Sequence, residues 1–341
     1  MALTAERRSA RTGRRGTSRR ELSSDDFGLR FELMVDNIGK VMKGKDDIVR
    51  LALVAMLGNG HVLFEDMPGT GKTMLARSIA QTISAESSRI QCTPDLLPAD
   101  VTGSTVLDRK TGDFIFRRGP IFANVFLADE LNRATPKSQS ALLEAMAERR
   151  VTFDGVTYPL PSPFFVLATM NPIELAGTFP LPEAQLDRFL FKLSLGYAGR
   201  DAEVDVMRSH QEQDSIIDLV PVIQIEEVVE MIKWATRVSV SDDVLYYVAD
   251  LVQATRTDPS LQMGASSRAS LALMRAARVM AASQGRDDVL PDDVKQLAFP
   301  VLAHRLLMTP EAQLRDETIA DVVDRIVHGV KVPTGMKRGD S

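Results

Sequence analysis

An α/β domain with a mainly parallel sheet, followed by a smaller all-helical domain, is the fold class that this sequence predicts. Three observations predict it. The apolar run 61–64 leads into Glu65-Asp66-Met67-Pro68-Gly69-Thr70-Gly71-Lys72-Thr73, then into a segment with apolar residues at three- and four-residue spacing. Further strand candidates at 89–92, 125–128, 164–168 and 189–193 alternate with helical patterns at 74–84 and 137–148. From Ile223 onward the strand runs stop and helical spacing alone remains.

Residues 1–26 read as a disordered arm rich in Arg, Ser, Gly and Thr. Seven arginines against one glutamate give residues 1–20 a charge of +6, so the remaining residues carry −11 of the total −5. An acidic body argues against a large constitutive nucleic-acid surface, although a local basic pore stays open. The arm has no apolar stretch able to form a signal-peptide core or a membrane span. Cys92 is the one cysteine, which excludes an intramolecular disulfide and fits a reducing, cytoplasmic setting. The four histidines never cluster with it, so a zinc site has no ligand set.

After the arm, 27–41 is expected as a helix with Phe31, Met34, Val35 and Ile38 on one side, and 48–57 as a second. Gly58-Asn59-Gly60 turns the chain into the first strand. Two stretches break the strand–helix alternation. Residues 95–119 read as a β-hairpin around Lys110-Thr111-Gly112-Asp113, and 149–160 as a second around Asp154-Gly155, a strong hairpin dipeptide. The α/β domain is taken as 27–220. A helical domain over 221–333 is expected to hold helices at 225–235, 242–254, 267–283, 291–302 and 311–326, ahead of a polar tail at 334–341.

A strand, a glycine turn ending in Gly-Lys-Thr and a helix make the setting a phosphate loop needs. Consecutive backbone N–H groups and a helix N-terminus must converge on the β-phosphate. Gly69, Thr70, Gly71, Lys72, Thr73 and Met74 would form it, with Lys72 reaching the β/γ-phosphates and the Thr73 hydroxyl on Mg²⁺. Asp66 stands where the usual first glycine would be. The run 125–128 ends in Asp129-Glu130, where one carboxylate can hold Mg²⁺ through water and the other orient an attacking water. Asn171, ending the run 164–168 and followed by Pro172, suits either an amide donor to the γ-phosphate or an Asn-Pro turn. Arg133, Arg188 and Arg268 are candidates to offset transition-state charge, and spacing alone does not choose among them.

Together these stretches resemble the MoxR-type ATPases of the AAA+ superfamily, over residues 31–333. The resemblance rests on Glu65 to Thr73, Asp129-Glu130-Leu131-Asn132-Arg133-Ala134, the run 137–146, Ala168-Thr169-Met170-Asn171-Pro172, the run 181–189 and Gly264-Ala265-Ser266-Ser267-Arg268-Ala269. That family commonly has Asp at the Asp66 position; Ser267 departs from it, where proline is common. The resemblance implies a phosphate-loop AAA+ domain with a helical lid, using ATP and Mg²⁺ in six-membered homo-oligomeric rings. It implies a chaperone that remodels or matures a client protein, often with a von Willebrand factor A domain partner. Asn171 matches the sensor-1 residue, Arg188 the arginine finger that enters the neighbouring subunit's site, and Arg268 the sensor-2 arginine of the lid. Residues 95–119 look like the helix-2 insert and 149–160 like the hairpin before sensor 1. ATP·Mg²⁺ is then expected against Lys72, Thr73, Asp129, Asn171 and Arg268 of one chain, with Glu130 activating water and Arg188 arriving from the next. Three alternatives remain: a nucleic-acid translocase using Arg117-Arg118, Arg149-Arg150 and the basic arm, a metal-chelatase motor subunit, and an ATP-regulated scaffold.

Overall fold

Helix α1 (Ser24–Gly39) starts earlier than the periodicity suggests, because Ser23 caps it: its hydroxyl accepts from the Asp26 N–H at 3.1 Å while the Asp26 carboxylate accepts the Ser23 N–H. Residues 24–26, assigned to the arm, therefore belong to the helix. The computed structural model describes residues 22–67, 69–172, 177–197, 199–212 and 219–333. Residues 1–21 of the arm, Pro68 of the glycine turn and the tail 334–341 lie outside the described residues.

Helix α2 (Asp46–Leu57) and strand β1 (Val62–Glu65) follow, then α3 (Lys72–Thr82) and β2 (Ser87–Gln91). The first irregular stretch is a short helix α4 (Pro98–Thr102) and a hairpin of β3 (Gly103–Leu107) and β4 (Phe114–Arg118). Its base is pinched: a Cβ on Gly103 would collide with the Arg117 carbonyl, and one on Gly119 with the Val101 carbonyl. Strand β5 (Val125–Asp129) leads to α5 (Pro136–Glu148), which starts on a proline at its first turn. The second hairpin is β6 (Arg150–Phe153) and β7 (Val156–Pro159), with Asp154 and Gly155 both at positive φ as the Asp-Gly signal requires. Strand β8 (Phe165–Met170), a short helix α6 (Glu183–Leu186), β9 (Phe191–Leu193) and α7 (Arg200–Glu212) complete this half. Helix α7 was not anticipated, since Val204, Val206 and Met207 are its only large apolar residues and form no stripe.

The central sheet has the order β2-β5-β8-β1-β9 and is parallel throughout. Period-two alternation divides its side chains between two cores. Val62, Phe64, Val125, Leu127, Phe165 and Leu167 join a core shared with α1, α2, α3 and the second half of the chain. Leu63, Phe126, Ala128, Val166 and Ala168 face the other way, onto Leu142, Leu143 and Met146 of α5. Strands buried on both faces read as unbroken apolar runs, which is why they were legible in the sequence.

The lid comprises α8 (Ile225–Ala235), α9 (Asp242–Thr257), β10 (Leu261–Met263), α10 (Ser267–Ser283), α11 (Pro291–Leu302), β11 (Leu307–Met308), α12 (Pro310–Gln313) and α13 (Ile319–Gly329). Two expectations need correction. The lid is not entirely helical, because β10 and β11 pair as a small antiparallel ribbon too short to show a period. The single helix expected over 311–326 is two, since Asp316 takes a positive φ and Thr318 caps a new start through the Asp321 N–H. Helix α1 seals the lid to the sheet domain: Phe27 meets Trp234 at 5.4 Å between ring centroids, and Asn37 Nδ2 donates to Thr82 Oγ1 and to the Val220 carbonyl.

Candidate active site

Because the sheet strands run parallel, their carboxyl ends share one edge, and β1, β5 and β8 end there in the residues singled out above. After β1 the loop turns on Gly69 (φ +82°) and Gly71 (φ +96°), left-handed conformations that a side chain disfavours. A Cβ on Gly69 would meet nothing within 4 Å, so the backbone angle, not space, calls for glycine there. Gly71 caps α3, whose first-turn N–H groups have no partner within the helix and form an anion site. Lys72 Nζ folds back to donate to the carbonyls of Asp66 (3.1 Å) and Met67 (3.0 Å).

Asp66 supports the loop from behind. Its buried carboxylate accepts from Ser194 Oγ (2.6 Å), the Leu195 N–H (2.7 Å) and the Gly196 N–H (3.0 Å). Lys45 Nζ donates to the carbonyls of the same turn, reaching Gly196 at 3.2 Å and Tyr197 at 2.7 Å. Two opposite charges thus grip the two polar edges of residues 194–197. The sequence marks Asp66 as standing in place of a glycine and as the residue common in the resembled family, but not what it does; its partners lie too far along the chain to read.

At the end of β5, Asp129 Oδ1 accepts from the Thr169 hydroxyl at 2.6 Å, and Oδ2 takes Arg89 Nη2 at 2.7 Å. The same Thr169 oxygen accepts the Glu130 N–H at 2.8 Å, fixing a residue held at φ +55°. Arg133 Nε lies 3.2 Å from Glu130 Oε2, pairing this arginine with the carboxylate. Buried Asn171 follows β8 and its carbonyl accepts from Asn132 Nδ2 at 3.3 Å. Thr169 and Arg89 were not recognised as site residues, because neither type at a strand end carries a spacing signal.

These groups line one cleft of about 410 Å³: Asp66, Gly69, Thr70, Gly71, Lys72, Thr73 and Met74 on one wall, Arg89, Gln91, Asp129, Glu130, Thr169, Met170 and Asn171 on the other. The donor set fits a Mg²⁺-bound polyphosphate. The helix N-terminus and Lys72 suit the anion, while the Thr73 hydroxyl and Asp129 carboxylate are the hard oxygen ligands Mg²⁺ takes. Behind this wall the Cys92 thiol is pushed up to about 12 by burial and by the charges of Asp129 and Glu130, which leaves it unreactive.

Arg188 and Arg268 do not line that cleft. Arg268 lines a second one of about 480 Å³ with Glu183, Asp187, Met263, Gly264 and Arg305; its guanidinium lies 3.6 Å from Asp187 and is three-quarters exposed. Arg188 follows Asp187 directly and is exposed.

Residues 61–191 match the ATPase family associated with various cellular activities (AAA), and residues 253–326 match the AAA lid domain. An uncharacterised protein of Bacillus subtilis, YeaC, is 50% identical over 88% of this chain and 93% of its own. The chaperone MoxR1 of Mycobacterium tuberculosis is 40% identical over 89% of this chain and 82% of its own. A crystal structure of a putative ATPase from Cytophaga hutchinsonii superposes with a TM-score of 0.86 at 36% identity, covering 91% of this chain and 97% of that one. With the phosphate loop, the paired acids and the helical lid in place, the chain belongs to the MoxR-type ATPases of the AAA+ superfamily and is an ATP-hydrolysing enzyme.

Proposed function

We propose that this ATPase is a cytoplasmic chaperone that works as a homo-oligomeric ring of six, remodelling a client protein with a von Willebrand factor A domain protein as partner. The observation that carries the reading is the convergence of Lys72 and Thr73, Asp129 and Glu130, and Asn171 on one cleft, with Arg188 outside it and exposed. An exposed arginine outside its own chain's cleft suits delivery to a neighbour's. One relative bears the name chaperone, and no helix among the described residues is long and apolar enough to cross a membrane.

In this mechanism Lys72 leaves the carbonyls of Asp66 and Met67 for the phosphates of ATP. Thr73 and Asp129 would hold Mg²⁺, which when bound would neutralise phosphate charge. Glu130 orients water and accepts its proton, and the Asn171 amide fixes the γ-phosphate end. Arg188 of the adjoining protomer stabilises charge that grows during transfer. Arg268 shares its cleft with Asp187, the residue before Arg188, which favours delivery of both arginines to the neighbour's nucleotide over service of Arg268 in its own chain.

The two hairpins would carry motion to the client. Phe116 of β4 stacks on Tyr158 at 4.4 Å and on Phe153 at 5.2 Å, joining them into one body with Leu107, Phe114 and Val156 exposed. The translocase alternative loses support from the same region. Arg149 turns inward to the carbonyls of Asn59 and Phe164, Arg150 pairs with Glu148, and Arg118 lies over the Phe122 ring. A metal-chelatase motor and a scaffold would share the same cleft, so a partner's effect on turnover separates them from a chaperone. Light scattering with and without ATP tests assembly; a chain that stays monomeric while hydrolysing ATP contradicts the ring.

A further inference from the structure

Residues 187, 189 and 190, on either side of Arg188, are held from the lid by one buried guanidinium. Arg305 sits in the 3₁₀ turn Ala303–Arg305 that follows α11, and is 7% exposed. Its Nε donates to Asp187 Oδ1 at 2.7 Å, and its Nη2 to the Phe189 carbonyl at 2.7 Å and the Asp187 carbonyl at 3.4 Å. Its Nη1 donates to the Leu190 carbonyl at 3.3 Å and to the carbonyl of Val301 in its own helix. His304 Nε2 adds a second donor to the Phe189 carbonyl at 3.1 Å.

We propose that Arg305 is the positioning residue for Arg188: it fixes the backbone on both sides of that arginine to the lid, so the lid's orientation sets where Arg188 points. This rests on the reading that Arg188 acts in the neighbour's site. A cation that stabilises developing charge must be placed within a fraction of an ångström, and an exposed arginine on a short loop cannot hold such a position by itself. A planar fork with five N–H donors can take the Asp187 carboxylate and the carbonyls of Asp187, Phe189 and Leu190 at once; a lysine ammonium, with three donors, cannot. The Asp187 carboxylate also faces Arg268, so a lid rotation that moved Arg305 would move the Arg188 segment with the entrance of the second cleft.

The test mixes two impaired proteins. Arg305→Lys protomers keep an intact cleft of their own but present Arg188 poorly; Glu130→Gln protomers cannot hydrolyse but present Arg188 normally. Alone, Arg305→Lys is expected to bind a fluorescent ATP analogue within twofold of wild type and to lose tenfold or more in kcat. Mixed with Glu130→Gln, turnover should rise severalfold above the sum of the two, as it should for Arg188→Ala mixed with Glu130→Gln. Asp187→Asn, which keeps side-chain size, serves as the second variant if Arg305→Lys fails to fold. Recovery with Arg188→Ala but not with Arg305→Lys or Asp187→Asn overturns the proposal alone. No recovery in any mixture overturns the trans reading of Arg188 and the proposal with it.

Discussion

The hydroxyl of Thr169 donates to Asp129 Oδ1 over 2.6 Å while its oxygen accepts the Glu130 N–H over 2.8 Å. One side chain on β8 thus sets the aim of both acids at the end of β5. Replacing it with valine removes both bonds and leaves a backbone N–H without a partner, a loss of about 1–3 kcal/mol. Thr169→Val is expected to lower kcat about tenfold or more with little change in nucleotide affinity, while Thr169→Ser retains most activity. Steady-state phosphate release alongside equilibrium binding checks both.

Asp66 is a structural acid in a catalytic neighbourhood. Asp66→Ala leaves the N–H groups of Leu195 and Gly196 and the hydroxyl of Ser194 without their acceptor, and leaves Lys45 alone on the carbonyl edge of that turn. The expected cost is about 2–4 kcal/mol, read as a fall in Tm of several degrees. Asp66→Gly, which restores the commoner loop residue, should be equally destabilised; an unchanged Tm for it would show that the carboxylate has no such role.

Acid sensitivity follows from two buried histidines. Burial, with the Arg149 charge adding, lowers His61 to about 3, and burial also lowers His304. The unfolded chain takes up a proton as pH falls through about 6.5, whereas folded His61 stays neutral until about 3. Its contribution to stability is therefore complete above about 6.5 and is lost progressively below it, at up to about 1.4 kcal/mol per pH unit. Urea denaturation at pH 7.5 and pH 5 should show the loss in wild type and a shallower dependence in His61→Gln.

Phe116 is the rivet between the hairpins. Phe116→Ala removes its stacking on Phe153 and Tyr158 and its edge contact with Phe122. Limited trypsin digestion should then cut faster at Arg109, Lys110 and Arg117, while unstimulated ATP turnover changes little. Equal cleavage rates would mean that the hairpins are held by other contacts.

Much of this architecture was legible because buried parallel strands leave unbroken apolar runs and because Gly71-Lys72-Thr73 sits in register between one such run and a helix. The pair Asp129-Glu130 was legible for the same reason: two acids close an otherwise apolar strand. What escaped was whatever depends on distant partners. Thr169, Arg89 and Asp66 are ordinary polar residues until the sheet order puts β8 beside β5 and β9 beside β1. The ribbon of β10 and β11 is too short for periodicity, and α7 lacks an apolar stripe. Arg268 matches the sensor-2 arginine by motif, and its 3.6 Å approach to Asp187 is a further contact that no spacing in the sequence points to.

The central claim is that the cleft beside Lys72 grips ATP and that Glu130 activates the water that attacks it. Glu130→Gln keeps the shape and the bond from its N–H to Thr169 while removing the base. The measurement is ATP affinity and single-turnover hydrolysis of that variant beside wild type. Affinity should be unchanged and hydrolysis slowed about a hundredfold or more; hydrolysis within twofold of wild type would rule out Glu130 as the water-activating base.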